Sequence, residues 1–354
     1  MENRKKVLMI GPARTVKGGV SAVVNNLYRA GLDEKVRLHY IATMEDGSKL
    51  HKLWVAARAL LSYLLIVRKY EIVHIHMASD VSIYRKLPFV YIAHWCKKKI
   101  IIHQHGGNIE EFYYRQCNEG ARKKIKRMLE KADRIVVIAP YLKELFEELV
   151  DPAKVILLPN SVFVPEEPAK DYSQTKLLFL GRLCKEKGIR ELLEACEKLR
   201  KEFPGLQLYL GGIWEDESLK RLAHQLDPSG EWIHQPGWIG ADEKNRLLRE
   251  CNLFLLPSWF EGHPVSLMEG MAYGCTCIAS DIGGISQMLT EGESGLLVPV
   301  RDAEALEKAI RRCLADCGLQ ERLGRRAYEV IKDHYDIKKN VERLIGLYDS
   351  YERN

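Results

Sequence analysis

Two carboxylates, Glu261 and Glu269, stand seven residues apart in the stretch PSWFEGHPVSLMEGMAYGCTCIASDIGG, residues 257–284. Glu261, Gly262 and His263 fall in a loop after a short apolar strand. Pro264 is expected to open the helix that carries Glu269, since a first helical position needs no N–H partner. The amides of Val265 and Ser266 then point out of the helix N-terminus, with the positive end of the macrodipole behind them. That is an anion site suited to phosphate. A carboxylate on each side would accept hydrogen bonds from a sugar and a ribose, so the stretch points to a nucleotide-sugar pocket. An ordinary amphipathic helix, with Met268, Met271 and Ala272 inward and both glutamates in solvent, fits the same residues.

Other positions carry chemistry of the same kind. Arg182 and Lys187 lie in a strand-to-helix loop, one a bidentate fork and the other a point charge. They suit a leaving diphosphate, or they are a solvated surface pair. No Asp-x-Asp is present to hold a metal for that purpose, and no CxxC pair marks a zinc ribbon or a thioredoxin site. His105 follows the strand KIIIH and precedes Gly106-Gly107. It therefore sits at a strand's C-terminal tip, where open α/β sheets bind ligands; a lone histidine there also serves structure. Gly18-Gly19 closes a loop between a strand and a helix, which lets backbone approach a phosphate or makes a plain tight turn. It is not a G-x-G-x-x-G dinucleotide fingerprint.

The elements that must hold these residues alternate strand and helix along the chain. At 354 residues, 46% hydrophobic and 29% charged, the chain has the length of two soluble globular domains. Strands at 7–10, 71–76, 99–103, 134–138 and 154–158 are separated by helices, which implies a mainly parallel sheet covered on both faces. Pro159 to Thr175 is proline-rich and without apolar periodicity, and reads as a linker. The alternation then restarts at residue 176. A last helix follows a break at 334–336.

Charge divides unevenly: +12 over residues 1–165 and −6 over the rest. A basic half suggests an acidic partner such as anionic lipid or a phosphorylated acceptor, or it serves solubility. No aromatic-basic interleaving points to nucleic acid. Residues 49–70, KLHKLWVAARALLSYLLIVRKY, are expected to form a buried helix between strands. The alternative is a helix on a membrane surface, with Trp54 and Tyr63 at the interface and Lys49, Lys52, Arg58, Arg68 and Lys69 towards headgroups. Isolated cysteines and an N-terminus without a signal-peptide core indicate a reducing, cytoplasmic compartment.

In their joint order the motifs resemble the retaining glycosyltransferases of family 4, which have the GT-B architecture. The resemblance is strongest over residues 176–299. Glu261 and Glu269 match the family's E-x7-E signature, while Gly181-Arg182 and Lys187-Gly188 match its basic pair. Pro236-Gly237, Gly283-Gly284 and Gly292–Gly295 match its glycine turns. In the first half Gly18-Gly19, EIVHIH, His105-Gly106 and Pro159-Asn160 fall where the family has theirs. Ser161, Gly270, Thr276 and Gln287 depart from the usual residues, which bears on substrate more than on activity.

The resemblance implies two doubly wound Rossmann-like domains facing across a cleft, an acceptor-side domain over 1–165 and a donor domain over 166–335. The C-terminal helix, 336–354, is expected to cross back to the first domain. It implies a metal-independent hexosyltransferase without cofactor, whose co-substrate is a nucleoside diphosphate sugar, most simply a uridine diphosphate sugar. Glu269 is expected on the ribose, Glu261 on the donor sugar, and Arg182 and Lys187 on the diphosphate. Backbone groups of Gly262, His263, Pro264 and Val265 are expected near sugar and phosphate. Trp238 and Ile239 would meet the base, Gly19 would let the first helix approach the ligand, and His105 would lie beside the reacting centre. The acceptor is expected to be a glycan or lipid-linked intermediate of cell-surface polysaccharide, with the enzyme cytoplasmic or peripheral on the inner membrane face. Rival readings are another nucleotide-sugar enzyme on this scaffold, such as an epimerase, and a non-catalytic sugar-nucleotide-binding partner.

Overall fold

The computed structural model describes residues 4–166 and 170–351. They form two compact units: the residues up to Ser161 with those from Ile337 onward, and Val162–Asp336. The divisions read from sequence, at 165/166 and 335/336, differ from these by a few residues.

The first unit is built on six parallel strands: β1 (Lys6–Gly11), β2 (Arg37–Ala42), β3 (Ile72–Met77), β4 (Lys99–Gln104), β5 (Arg134–Val137) and β6 (Val155–Leu157). Their order is β2-β1-β3-β4-β5-β6. The second repeats the plan with β7 (Lys176–Leu180), β8 (Gln207–Gly211), β9 (Ile233–Gly237), β10 (Leu253–Leu256), β11 (Thr276–Ser280) and β12 (Leu296–Val298), ordered β12-β11-β10-β7-β8-β9. Each sheet is doubly wound, as expected. The central strands are near-continuous apolar runs because helices cover both faces: every residue of β3, β10 and β11 is buried. The chain reverses its direction of winding between β1 and β3, and again between β7 and β10. Such switch points open a crevice at the carboxyl ends of the strands, the usual ligand position.

Two elements were not legible in the sequence. In β2, an edge strand, only Ile41 is fully buried, so its pattern is weak. The helix Val81–Trp95 contains Pro88, which reads as a break.

The helix Lys49–Ile66 corrects an expectation. It is not buried between strands. Val55, Ala59, Tyr63 and the following Val67 pack inward, and the Tyr63 hydroxyl donates to the Phe89 carbonyl at 2.9 Å. The opposite face exposes Leu50 (80%), Leu53, Trp54, Leu61, Leu64 and Leu65 (79%). Those positions recur at helical spacing, so they make one stripe along its length. The helix is apolar on both sides because one side meets the sheet and the other is left outside. By length and composition it is long and apolar enough to cross a membrane, yet its inner side is committed to the core. Tyr63 is accordingly a core residue and not an interfacial one.

Candidate functional site

The loops at the carboxyl ends of β7 and β10 meet at the switch point of the second unit. Gly188 makes the meeting possible. Its φ is 68°, and a Cβ there would stand 2.0 Å from the Pro257 carbonyl oxygen. A backbone hydrogen bond from Trp259 N–H to the Glu186 carbonyl, 2.9 Å, ties the same loops. Gly188→Ala is expected to destabilise the second unit by roughly 2 kcal/mol, from left-handed strain plus overpacking. Urea titration checks it, and an unchanged midpoint would mean that the loops adjust freely.

This junction brings Lys187 onto Glu261. Lys187 Nζ lies 2.5 Å from Glu261 Oε1, with both side chains mostly shielded, and Ser258 Oγ donates to the same oxygen at 2.8 Å. A second pair is parallel to it. Glu269, on the helix Val265–Ala272, accepts from Lys244 Nζ at 2.5 Å. Lys244 belongs to the helix Ala241–Glu250 that leads into β10. No spacing motif marks it; only the fold brings the helices before and after β10 together. Each glutamate thus holds an ammonium on one carboxylate oxygen, which is a binding arrangement for polar ligands.

Arg182 stands apart from this group. Its side chain is 59% exposed and Nη1 donates to Glu215 Oε2 at 2.8 Å. The basic pair therefore divides into an inner lysine and an outer arginine. Pro264 takes the cap position, and the helix begins at Val265 with no side-chain cap on its first amides. Gly262 is pressed against Gly284: a Cβ on Gly284 would meet the Gly262 oxygen at 1.6 Å. His263 is buried against Tyr335, ring centroids 5.4 Å apart, and burial pulls its imidazole down to about 4. It is neutral at pH 7. Trp238 and Ile239 follow β9, the first 54% exposed and the second half-buried. Gly270 packs against Phe254; a Cβ would come within 2.6 Å of that ring.

In the first unit Gly19 opens the helix Gly19–Arg29, and a Cβ there would meet nothing within 4 Å. Protein packing does not demand this glycine. His105 is the half-buried end of an otherwise buried array, with His74, His76 and His103, that the sequence reading did not foresee. His76 Nδ1 and His105 Nε2 are 2.7 Å apart, and His74 Nε2 and His103 Nδ1 3.2 Å. The two hydrogen-bonded pairs stack, with His103 and His105 ring centroids 4.2 Å apart. His74 Nδ1 is 2.6 Å from the Tyr348 hydroxyl on the C-terminal helix, Ile337–Asp349. Burial pulls His74 and His105 down to about 3, and His76 and His103 well below their ordinary value. All four rings are neutral. His74, His76 and His103 bring ring nitrogens within 4.8 Å of one another. Most of those nitrogens are engaged with each other, with His105 or with Tyr348, and among the described residues no carboxylate completes the set. The alternation HIH in β3, in register with β4, was the available signal.

Known proteins share this architecture. Residues 163–330 match the family profile described as glycosyl transferases group 1. The match encloses Lys187, Lys244, Glu261 and Glu269. A lipopolysaccharide core biosynthesis glycosyltransferase, LpsE of Rhizobium meliloti, is 31% identical over 175 residues, 49% of each chain. The chain spans between about a third and three-fifths of the length of the first curated relatives it matches. Among solved structures, sucrose-phosphate synthase from Thermosynechococcus elongatus superposes with a TM-score of 0.77 at 20% identity, covering 98% of this chain and 99% of its own. HepE from Anabaena, solved with UDP and glucose, gives 0.78 at 12% identity, covering 98% and 100%. The fold is that of the GT-B glycosyltransferases.

Proposed function

We propose that the chain is a retaining, family 4 type glycosyltransferase that moves a sugar from a uridine diphosphate sugar to a growing, lipid-linked cell-surface glycan. The observation that carries this reading is the pair of ammonium-held glutamates at the β7/β10 switch point, inside the group 1 match. Glu269 takes the ribose hydroxyls and Glu261 a hydroxyl of the donor sugar, each through its remaining carboxylate oxygen. Lys187, with the first amides of the helix Val265–Ala272, faces the diphosphate; Arg182 swings from Glu215 to join it. Trp238 and Ile239 flank the base.

The acceptor hydroxyl forms the new bond to the anomeric carbon as the bond to the diphosphate breaks, and its proton passes to the leaving oxygen. Fixed positive charge at the departing phosphates lowers that barrier without a metal or other cofactor. The reaction runs at the inner face of a membrane, where such acceptors are carried. A uridine diphosphate group in the HepE structure supports the choice of donor class.

A thermal-shift panel of nucleoside diphosphate sugars tests the central claim, because a ligand raises apparent stability by mass action. A uridine diphosphate sugar is expected to raise the midpoint, and transfer to acceptor should vanish in Glu261→Ala. If no nucleotide sugar moves the transition, the reading fails. The open space at Gly19 gives a second measurement. Gly19→Ala should leave the melting midpoint of the unliganded protein unchanged while weakening donor or acceptor binding about tenfold. Unaltered affinities for both would remove Gly19 from the site.

A further inference from the structure

At the opposite edge of the first sheet, where the strands begin, lies an open cavity of about 960 Å³. It gathers cations from the ends of several elements. Lys97 and Lys98 precede β4, Arg127 and Lys131 end the helix Glu119–Glu130, Arg134 starts β5, and Lys154 precedes β6. With Lys99 they make seven basic groups against two acidic ones, Glu130 and Asp133. Asp133 is already committed: one oxygen is 3.3 Å from Lys99 Nζ, and the other accepts the Ile100 N–H at 2.8 Å. Lys154 and Lys98 are held by carbonyls, those of Glu130 (2.8 Å) and Arg68 (3.0 Å), which orient an ammonium without cancelling its charge.

Lys97 carries a second signal. It adopts φ 54°, and its N–H bonds to His94 O while Lys98 N–H bonds to Ala93 O. That is the left-handed helix ending in which glycine is the favoured residue. A lysine there strains the backbone and puts a charge at the cavity mouth.

What borders the cavity says what enters it. Trp95, two residues before Lys97, is 74% exposed. The Lys98–Arg68 bond joins the rim to the end of the Lys49–Ile66 helix, whose outward leucine stripe is not covered by any of the described residues. An apolar stripe, an exposed tryptophan and a basic hollow side by side are complementary to one partner, a bilayer with anionic phosphate headgroups. We infer that this cavity binds the phosphate headgroup of an anionic lipid while the Leu50–Leu65 stripe lies in the same leaflet. The inference deepens the membrane part of the proposed function and does not depend on the sugar-transfer reaction.

The full chain is co-sedimented with phosphatidylcholine vesicles, with and without phosphatidylglycerol. Phosphatidylglycerol should raise binding by about 10²-fold or more. In the double variant Lys97→Gly/Arg127→Gln that gain should fall about 25-fold, roughly fivefold for each charge removed. Glycine suits the left-handed position, so the variant should stay folded, which its melting curve verifies. Leu61→Ser/Leu65→Ser should weaken binding to both vesicle types while leaving the cavity intact. Soluble glycerophosphoglycerol should compete with the wild type. Equal binding of wild type and the double variant would overturn the assignment, as would binding of inorganic phosphate without any vesicle binding. Transfer to a detergent-solubilised acceptor should be unchanged in Lys97→Gly/Arg127→Gln, so failure of docking and failure of transfer are separable.

Discussion

Lys187→Ala is expected to lower turnover on the order of 10²-fold, the loss typical of one fixed donor to a developing negative charge. The lysine reaches the site only because the Gly188 turn presses its loop onto Pro257, and there it lies 2.5 Å from Glu261. Two effects must be separated. Removing Lys187 leaves a mostly shielded carboxylate without its cation, which alone should cost about 1–3 kcal/mol of stability. Removing it also strips positive charge from the place assigned to the diphosphate. Glu261→Gln added to Lys187→Ala should restore the stability, since the uncompensated charge is gone. Ligand binding tells the second effect apart. Affinity for uridine diphosphate should drop about tenfold or more in Lys187→Ala, while affinity for uridine stays within twofold. Equal losses for both ligands would show that the lysine only supports the loop.

Acid should unfold the first unit before its carboxylates protonate. His74 and His105 are pulled down to about 3 by burial, and His76 and His103 lie well below their ordinary value, with Lys86 further opposing charge on His76. Folded values below the unfolded one mean that the unfolded chain takes up protons first. The stabilisation from the neutral rings is therefore complete above about pH 6.5 and is lost as pH falls towards 3. At pH 5 His74 and His105 each account for a loss of about 2 kcal/mol on this basis, and His76 and His103 act in the same direction. A domain of this size has about 5–15 kcal/mol in all. Urea titrations followed by circular dichroism at pH 7.5, 6 and 5 should show stability falling ever more steeply as pH drops. A midpoint unchanged across that range would mean the rings accept protons in place.

The strands and the winding were legible because buried parallel strands are apolar runs, and glycine or proline punctuates the loops between them. What escaped the sequence depends on partners far along the chain. β2 shows little pattern because an edge strand buries little. The helix Lys49–Ile66 looks like a core helix by composition, and no local signal says that only Val55, Ala59, Tyr63 and Val67 face inward. In the candidate site Glu261, Glu269 and Lys187 stand out by spacing. Lys244 does not, because its only distinction is the helix that folding sets beside Glu269. Arg182 and Lys187 are near neighbours in sequence, but their opposite exposures follow from the turn at Gly188. His105 was legible as a strand-tip histidine, whereas its three ring partners required the register of β3 with β4.

The C-terminal helix has a consequence for how the chain is made. Ile337, Val341, Leu344 and Tyr348 are buried in the first unit, Tyr348 reaches His74, and the Lys5 ammonium donates to the Tyr351 carbonyl. During synthesis the first six strands emerge early, yet their sheet lacks one covering helix until residue 351 has left the ribosome. The second unit, Val162–Asp336, is fully emerged before then. Biosynthetic order and order of completion are thus reversed: the first unit is begun before the second and completed after it, and its histidine face waits for residues 337–351.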